Sequence, residues 1–371
     1  MKRELDRIEI PDEHAAWERA WRLVEAAFVA REPVERPAHR LRVAIALAAV
    51  VVAAAAALSP PGRAVIDEIR EVVGVERAQP ALFSLPAPGK LLVASDAGVW
   101  VVQQDGSKRL LDDYREASWS PFGRFVVAAR ANELAALEPD GDVRWTLARP
   151  GVRSPRWTGT EANTTIAYVD RTGIRVVAGD GIGDRLLVPG VAGPVAWRPG
   201  RGFVLAYATP RLVWVVNAET GGVLWRSARP AGRVTNLEWS SDGERLVVLS
   251  PHHLRVYDER GRIAAQEDPA EGWPDVAATV RPGSHAVAVA RVHGSQSTAY
   301  LLEKRDVFYG TGEFRDLAWS PNGDWLLVAW PTADQWVFVR AEGKRIRAVA
   351  NLSEQFRSQS FPRVEGWCCA P

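Results

Sequence analysis

The sequence predicts an all-β protein, a seven-bladed β-propeller over residues 82–371 that is closed by its own C-terminal strand. Three observations predict it. First, a unit made of a Trp, a Pro/Gly turn and a short β-rich run recurs. It reads Ala117-Ser-Trp-Ser-Pro-Phe-Gly123 before Phe125-Val-Val-Ala-Ala129, and Leu237-Glu-Trp-Ser-Ser-Asp-Gly243 before Leu246-Val-Val-Leu249. It reads Leu317-Ala-Trp-Ser-Pro-Asn-Gly323 before Trp325-Leu-Leu-Val-Ala329. Second, looser copies at Trp157, Trp197 and Val280 keep a spacing of about 40 residues, a period that marks propellers and solenoids. Third, the last copy, Arg363-Val-Glu-Gly-Trp-Cys-Cys369, holds an anchor Trp and then stops, while the first blade lacks such a strand.

Composition agrees with a repeat protein. Charged residues are 25% and the net charge is +1, so nothing points to a nucleic-acid partner. The chain has 16 Trp, most of them at repeat-equivalent positions, where aromatic rings bury large areas. The 2 Cys are adjacent, which excludes a disulfide framework and a CxxC zinc site. Cys368 and Cys369 are either two thiols on opposite faces of a strand or a vicinal disulfide.

Residues 1–42 are charged and helix-prone. Pro11-Asp12-Glu13 is a helix start with acids near the N-terminus. Trp17, Trp21, Val24 and Phe28 then share one helical face, and Pro33 and Pro37 end the pattern. That stripe rests on a membrane or on a copy of itself, or it docks a cytosolic partner. Val43 to Leu58 is an unbroken apolar run of about 16 residues, just under the roughly 17–25 of a spanning helix. A cleaved signal and a buried helix are the alternatives. About 40 patterned residues before the run favour a retained transmembrane helix over residues 43–59. Arg31, Arg36, Arg40 and Arg42 on its N-terminal side, against Arg63 and Arg70 beyond it, place the N-terminus in the cytoplasm. The predicted location is the cell membrane, single-pass, with the propeller outside. Residues 60–81 form a juxtamembrane helix, Ala64 to Val73, and the start of a Pro-rich linker.

The strands follow. Leu91-Leu-Val-Ala-Ser95 and Val99-Trp-Val-Val102 flank the turn Asp96-Ala-Gly98, and Asp105-Gly-Ser107 turns next. These are strands b, c and d of a blade. The anchors Trp119, Trp157, Trp197, Trp239, Val280, Trp319 and Trp367 give seven blades of about 41 residues. Asp140-Gly141, Asp180-Gly181, Gly221-Gly222 and Arg260-Gly261 fall where strands c and d should turn. In the blade at Val280 that turn is assigned to Gly294-Ser-Gln-Ser297. Closure by the final strand removes unpaired sheet edges.

The Trp-Ser-Pro-x-Gly units resemble the repeats of TolB-like and WD40-like β-propellers. Asn217-Ala-Glu-Thr-Gly-Gly-Val-Leu-Trp225 is similar to the outer-strand tryptophan motif of quinoprotein-type propellers, although one such blade assembles no quinone pocket. The layout of helix, single span and outer domain resembles membrane-bound anti-sigma factors of actinobacteria, without their His-x3-Cys-x2-Cys zinc motif. The resemblance implies a protein or peptide partner outside and a cytosolic regulatory partner, such as a sigma factor, inside.

No catalytic motif appears. Gly-x-Ser-x-Gly is absent, as is the sialidase Asp box, so no catalytic residue, metal ligand or cofactor is assigned and the chain reads as a non-enzyme. His252 and His253 are adjacent and read as loop surface, because neighbours on a strand face opposite ways. Asp140, Asp242 and Asp258 read as turn residues. One constellation suggests a ligand. Four residues before the anchor stand Arg115, Arg153, Arg315 and Arg363, with Glu116 and Asp316 following two of them. That position lies at one mouth of the central channel. Converging guanidinium groups there would bind carboxylate or phosphate; pairing of each Arg with a neighbouring acid is the alternative. The leading reading is a membrane-anchored binding or sensor module. An envelope assembly factor of TolB- or BamB-like type is second, and a channel-mouth enzyme is third.

Overall fold

The computed structural model describes residues 84–369, apart from 161, 192, 201, 228–232, 303, 304 and 344. The predicted helical face Trp17, Trp21, Val24 and Phe28, the predicted span 43–59 and the juxtamembrane helix lie outside the described residues. Among the described residues no helix is long and apolar enough to cross a membrane.

Seven four-stranded antiparallel sheets make up the described chain. Six of them are contiguous in sequence, over residues 116–148 (blade 2), 153–189 (blade 3), 195–226 (blade 4), 236–267 (blade 5), 275–311 (blade 6) and 317–350 (blade 7). Blade 1 is composite. Its strands b, c and d are Lys90–Ser95, Gly98–Val102 and Lys108–Asp112, and its strand a is Arg363–Cys368 from the far end of the chain. The expected closure is therefore observed, with Leu91 paired to Trp367 and Ala94 to Arg363.

Strands a touch one another in succession around the ring, from Glu116–Trp119 through to Arg363–Cys368 and back. They form the wall of the channel. Strands b and c are covered on both faces by neighbouring blades. Several of them are therefore unbroken apolar runs: every residue of Trp325–Trp330 and of Gly98–Val102 is buried, whereas strands c of blades 5 and 6, His253–Asp258 and Gln296–Leu301, still alternate. Outer strands such as Val143–Ala148 are largely exposed.

The seven anchors all lie at or near the ends of strands a, and all are buried. Each sits in the apolar layer between blades; Trp367, for example, meets Phe338 edge-on at 5.6 Å. After the anchor, Ser120, Ser240 and Ser320 each use Oγ to accept the backbone N–H five residues on, at 2.9–3.0 Å. That shared bond is why Trp-Ser-x-x-Gly repeats as a turn. The outer Trp of two blades packs on a glycine of the next. Trp145 lies over Gly181 (φ +84°) and Trp225 over Gly261 (φ +79°), where an added Cβ would come within 2.9 and 2.7 Å of the ring.

Two expectations change. Gly294 and Ser295 are the two-residue turn between strands b (Val287–His293) and c (Gln296–Leu301) of blade 6, not a turn between its strands c and d. A small polar hairpin carries the same residue signature in either place. Cys368 and Cys369 are joined as a vicinal disulfide, the second of the two readings that the sequence left open.

Candidate functional site

The start of strand a faces one end of the channel. Arg115 and Arg315 occupy equivalent places just before their strands: each backbone N–H donates to the carbonyl of the facing strand, Ala129 at 2.8 Å and Ala329 at 3.0 Å. Arg363 stands opposite Ala94 in the closing strand. These three arginines, from blades 2, 7 and 1, line one open cavity of about 810 Å³. Arg153 does not line it. It belongs to blade 3, outside the three blades that enclose the space, and its guanidinium donates to the carbonyl of Gly151 at 3.5 Å.

Counting back from the anchor also joined unlike positions. In blade 3 the ladder slips between Arg153 and Arg156, and in blade 1 it slips between Leu92 and Val93, opposite Glu365. Each bulge inserts one residue. Arg153 therefore faces Val169 in the register that Glu116 holds against Ala129.

The cavity's own acids are already engaged. Arg130, which the repeat pattern did not single out, pairs with Asp113 at 2.8 Å and with Glu133 at 2.9 Å. Asp96 is hydrogen-bonded to Gln359 and Ser360, and the two Ser360 bonds are the main reason its carboxyl is held below the usual range. Arg363 donates to Glu365 and to the carbonyl of Arg115, both at 2.9 Å. Arg115 and Arg315 make no side-chain hydrogen bond or ion pair to any described residue. The Arg315 guanidinium nevertheless lies near enough to the buried Asp316 carboxyl to oppose its upward shift.

Deeper in the channel a cavity of about 590 Å³ is lined by three acids, Glu238, Asp316 and Glu365, together with Arg156, Arg315 and Arg363. Burial pushes Glu238 and Glu365 up to about 7, and it also raises Asp316. Glu238 is held by the N–H of Val280 at 3.0 Å and the hydroxyl of Thr279 at 3.1 Å. The sequence marked Glu116 and Asp316 but not Glu238 or Glu365, which lie one and two residues before their anchors.

Seven four-stranded blades and a ring closed by the last strand define a class by architecture alone: a seven-bladed β-propeller, WD40-like in layout. No protein-family model matches the chain, and no curated protein matches it. Solved structures do. The β-propeller domain of Myceliophteria thermophila Cps50 (Swd1) aligns with a TM-score of 0.58 at 12% identity, over 72% of this chain and 99% of that one. A chain in the crystal structure of a mitotic checkpoint complex aligns with a TM-score of 0.51 at 14% identity, over 74% of this chain and 84% of that one. At such identities the likeness establishes the fold.

Proposed function

We propose that this chain is a non-enzymatic binding module, anchored to the cell membrane through residues 43–59, whose propeller mouth recognises an acidic group on a protein or peptide partner. One observation carries the reading: Arg115, Arg315 and Arg363 arrive from three blades at one open cavity. Guanidinium groups in such an array hold carboxylates through paired donors. The mitotic checkpoint complex, in which one of the fold relatives was solved, is a protein assembly, which supports a protein ligand. The apolar run 43–58 and the basic residues before it support a sensor that reports to a cytosolic partner, such as a sigma factor, through residues 1–42.

The test uses the full chain in detergent and a fluorescent peptide carrying several Glu residues, beside the same peptide with Gln. The Glu peptide binds, the Gln peptide binds at least tenfold more weakly, and added salt weakens the first selectively. Arg115→Ala combined with Arg315→Ala reduces Glu-peptide affinity by tenfold or more, since each charge-assisted bond contributes about 1.5–3 kcal/mol. Affinity for every acidic probe unchanged in that variant would overturn the reading. Residues 1–42 used as bait separate sensor from envelope scaffold, because only a sensor needs one specific cytosolic protein there.

A further inference from the structure

On the face opposite the arginine mouth, the a–b turns of blades 5 and 6 lie side by side. Asp242 and Glu244 come from the first turn and His285 from the second. His285 Nε2 is 2.7 Å from Asp242 Oδ2 and 3.7 Å from Glu244 Oε2, and one ligand atom from each of the three residues lies within 4.8 Å of the others. We propose that Asp242, Glu244 and His285 form a binding site for a divalent transition-metal ion of the zinc type, bridging blades 5 and 6. In the bare sequence Asp242 is a turn residue, and only the ring brings His285 to it from the next blade.

Three arguments support the site. The first is placement. Asp242 Oδ1 is occupied by the Ser240 hydroxyl at 2.5 Å and the Glu244 N–H at 2.9 Å, which fixes the carboxylate and leaves Oδ2 towards His285. Gly283 N–H donates to Ser241 Oγ at 3.1 Å and ties the two turns together. Zinc–ligand bonds of about 2.0–2.2 Å ask for neighbouring ligand atoms a little over 3 Å apart, so the three groups need only small adjustments.

The second argument is charge. Two carboxylates converge on one imidazole, and neither forms an ion pair with any Lys or Arg among the described residues. A blade-to-blade salt bridge needs one acid; the second adds repulsion that a bound cation relieves. The His253–Asp268 contact at 2.9 Å shows the alternative. There the acid also takes a charge-assisted bond from Arg255 at 2.5 Å, and no second carboxylate joins.

The third argument is ligand chemistry. One imidazole with two carboxylates suits zinc, cobalt or manganese better than the all-oxygen preference of calcium or magnesium. Three protein ligands leave a fourth position open. All three residues are exposed, so that position faces solvent; the cavity of about 440 Å³ beside His285 is lined by Arg245 and Arg281 and not by Asp242 or Glu244.

The experiment titrates ZnCl2 into untagged, EDTA-treated full-length chain, reading heat and thermal shift without added thiol. His285→Gln keeps a hydrogen-bonding group beside Asp242 but removes the imidazole ligand. Glu244→Gln removes the second carboxylate, and His253→Gln is the control. The wild type and the His253→Gln variant should bind Zn2+ with the same affinity and gain thermal stability from it. His285→Gln and Glu244→Gln should melt like the wild type without metal and lose at least tenfold in Zn2+ affinity. Equal Zn2+ binding by His285→Gln and the wild type, or no binding by the wild type at millimolar Zn2+, overturns the site. Because these residues lie at the opposite end of strand a from Arg115 and Arg315, neither result bears on anion recognition.

Discussion

The carboxylate of Asp96 accepts both the backbone N–H and the hydroxyl of Ser360, each at 2.9 Å. It also accepts the Gln359 N–H at 2.9 Å, and Asp96 N–H donates in return to Ser358 Oγ at 3.0 Å. A hairpin turn at the start of the propeller thus holds the segment that leads into the closing strand. The latch is exposed, and it acts by fixing where Arg363–Cys368 enters the ring.

Asp96→Ala should lower Tm slightly, because three hydrogen bonds that place the closing strand are lost at a solvent-exposed site. Differential scanning calorimetry of wild type and variant checks it. An unchanged Tm would mean the latch is ornamental.

Stability and recognition should separate among the mouth arginines. Arg115→Ala removes a group with no side-chain hydrogen bond or ion pair among the described residues, so it should leave Tm within a degree or so while weakening acidic-peptide binding; Arg315→Ala also removes a charge that favours the buried Asp316 carboxylate, so it should lower Tm slightly as well. Arg363→Ala also breaks bonds to Glu365 and to the Arg115 carbonyl, so it should lower both. Melting curves and peptide titrations on the three single variants decide the pattern.

The throat predicts an unusual pH dependence. Burial raises Glu238 and Glu365 to about 7 from an ordinary value of 4.5. Between those values the folded chain holds protons that the unfolded chain has lost, so stability falls as pH rises from about 4.5 to about 7 and then levels. Glu238→Gln keeps an acceptor for Val280 and Thr279 while removing the charge. It should flatten the slope between pH 5 and 8 and raise stability at pH 8 by roughly 1–3 kcal/mol. Urea unfolding at the two pH values measures this directly; equal slopes in wild type and variant would contradict it.

Much of the architecture was legible because each blade reuses one local device. The anchor Trp, the Ser hydroxyl and the turn Gly act within seven residues, so their period survives in the bare sequence. The failures are long-range or register-dependent. Gly294-Ser295 and a c–d turn carry the same small polar residues, and only the pairing of Val292 with Ser297 assigns it. Arg153 looked equivalent to Arg115 until the bulge at Ser154–Pro155 shifted it by one register position. Arg130, Glu238, Glu365 and the Asp242–His285 contact gain meaning only when the ring brings separate strands together.

The central claim is that residues after Gln359 supply the innermost strand of blade 1, and with it both the closed ring and Arg363. A chain ending at Gln359 tests this most directly when its calorimetric melt is compared with that of the full chain. The account predicts loss of the cooperative transition, since Leu91, Leu92, Val93 and Ala94 lose their ladder partners and the Trp367 side of the core is uncovered. A truncated chain that melted as sharply and at the same temperature as the full one would contradict it.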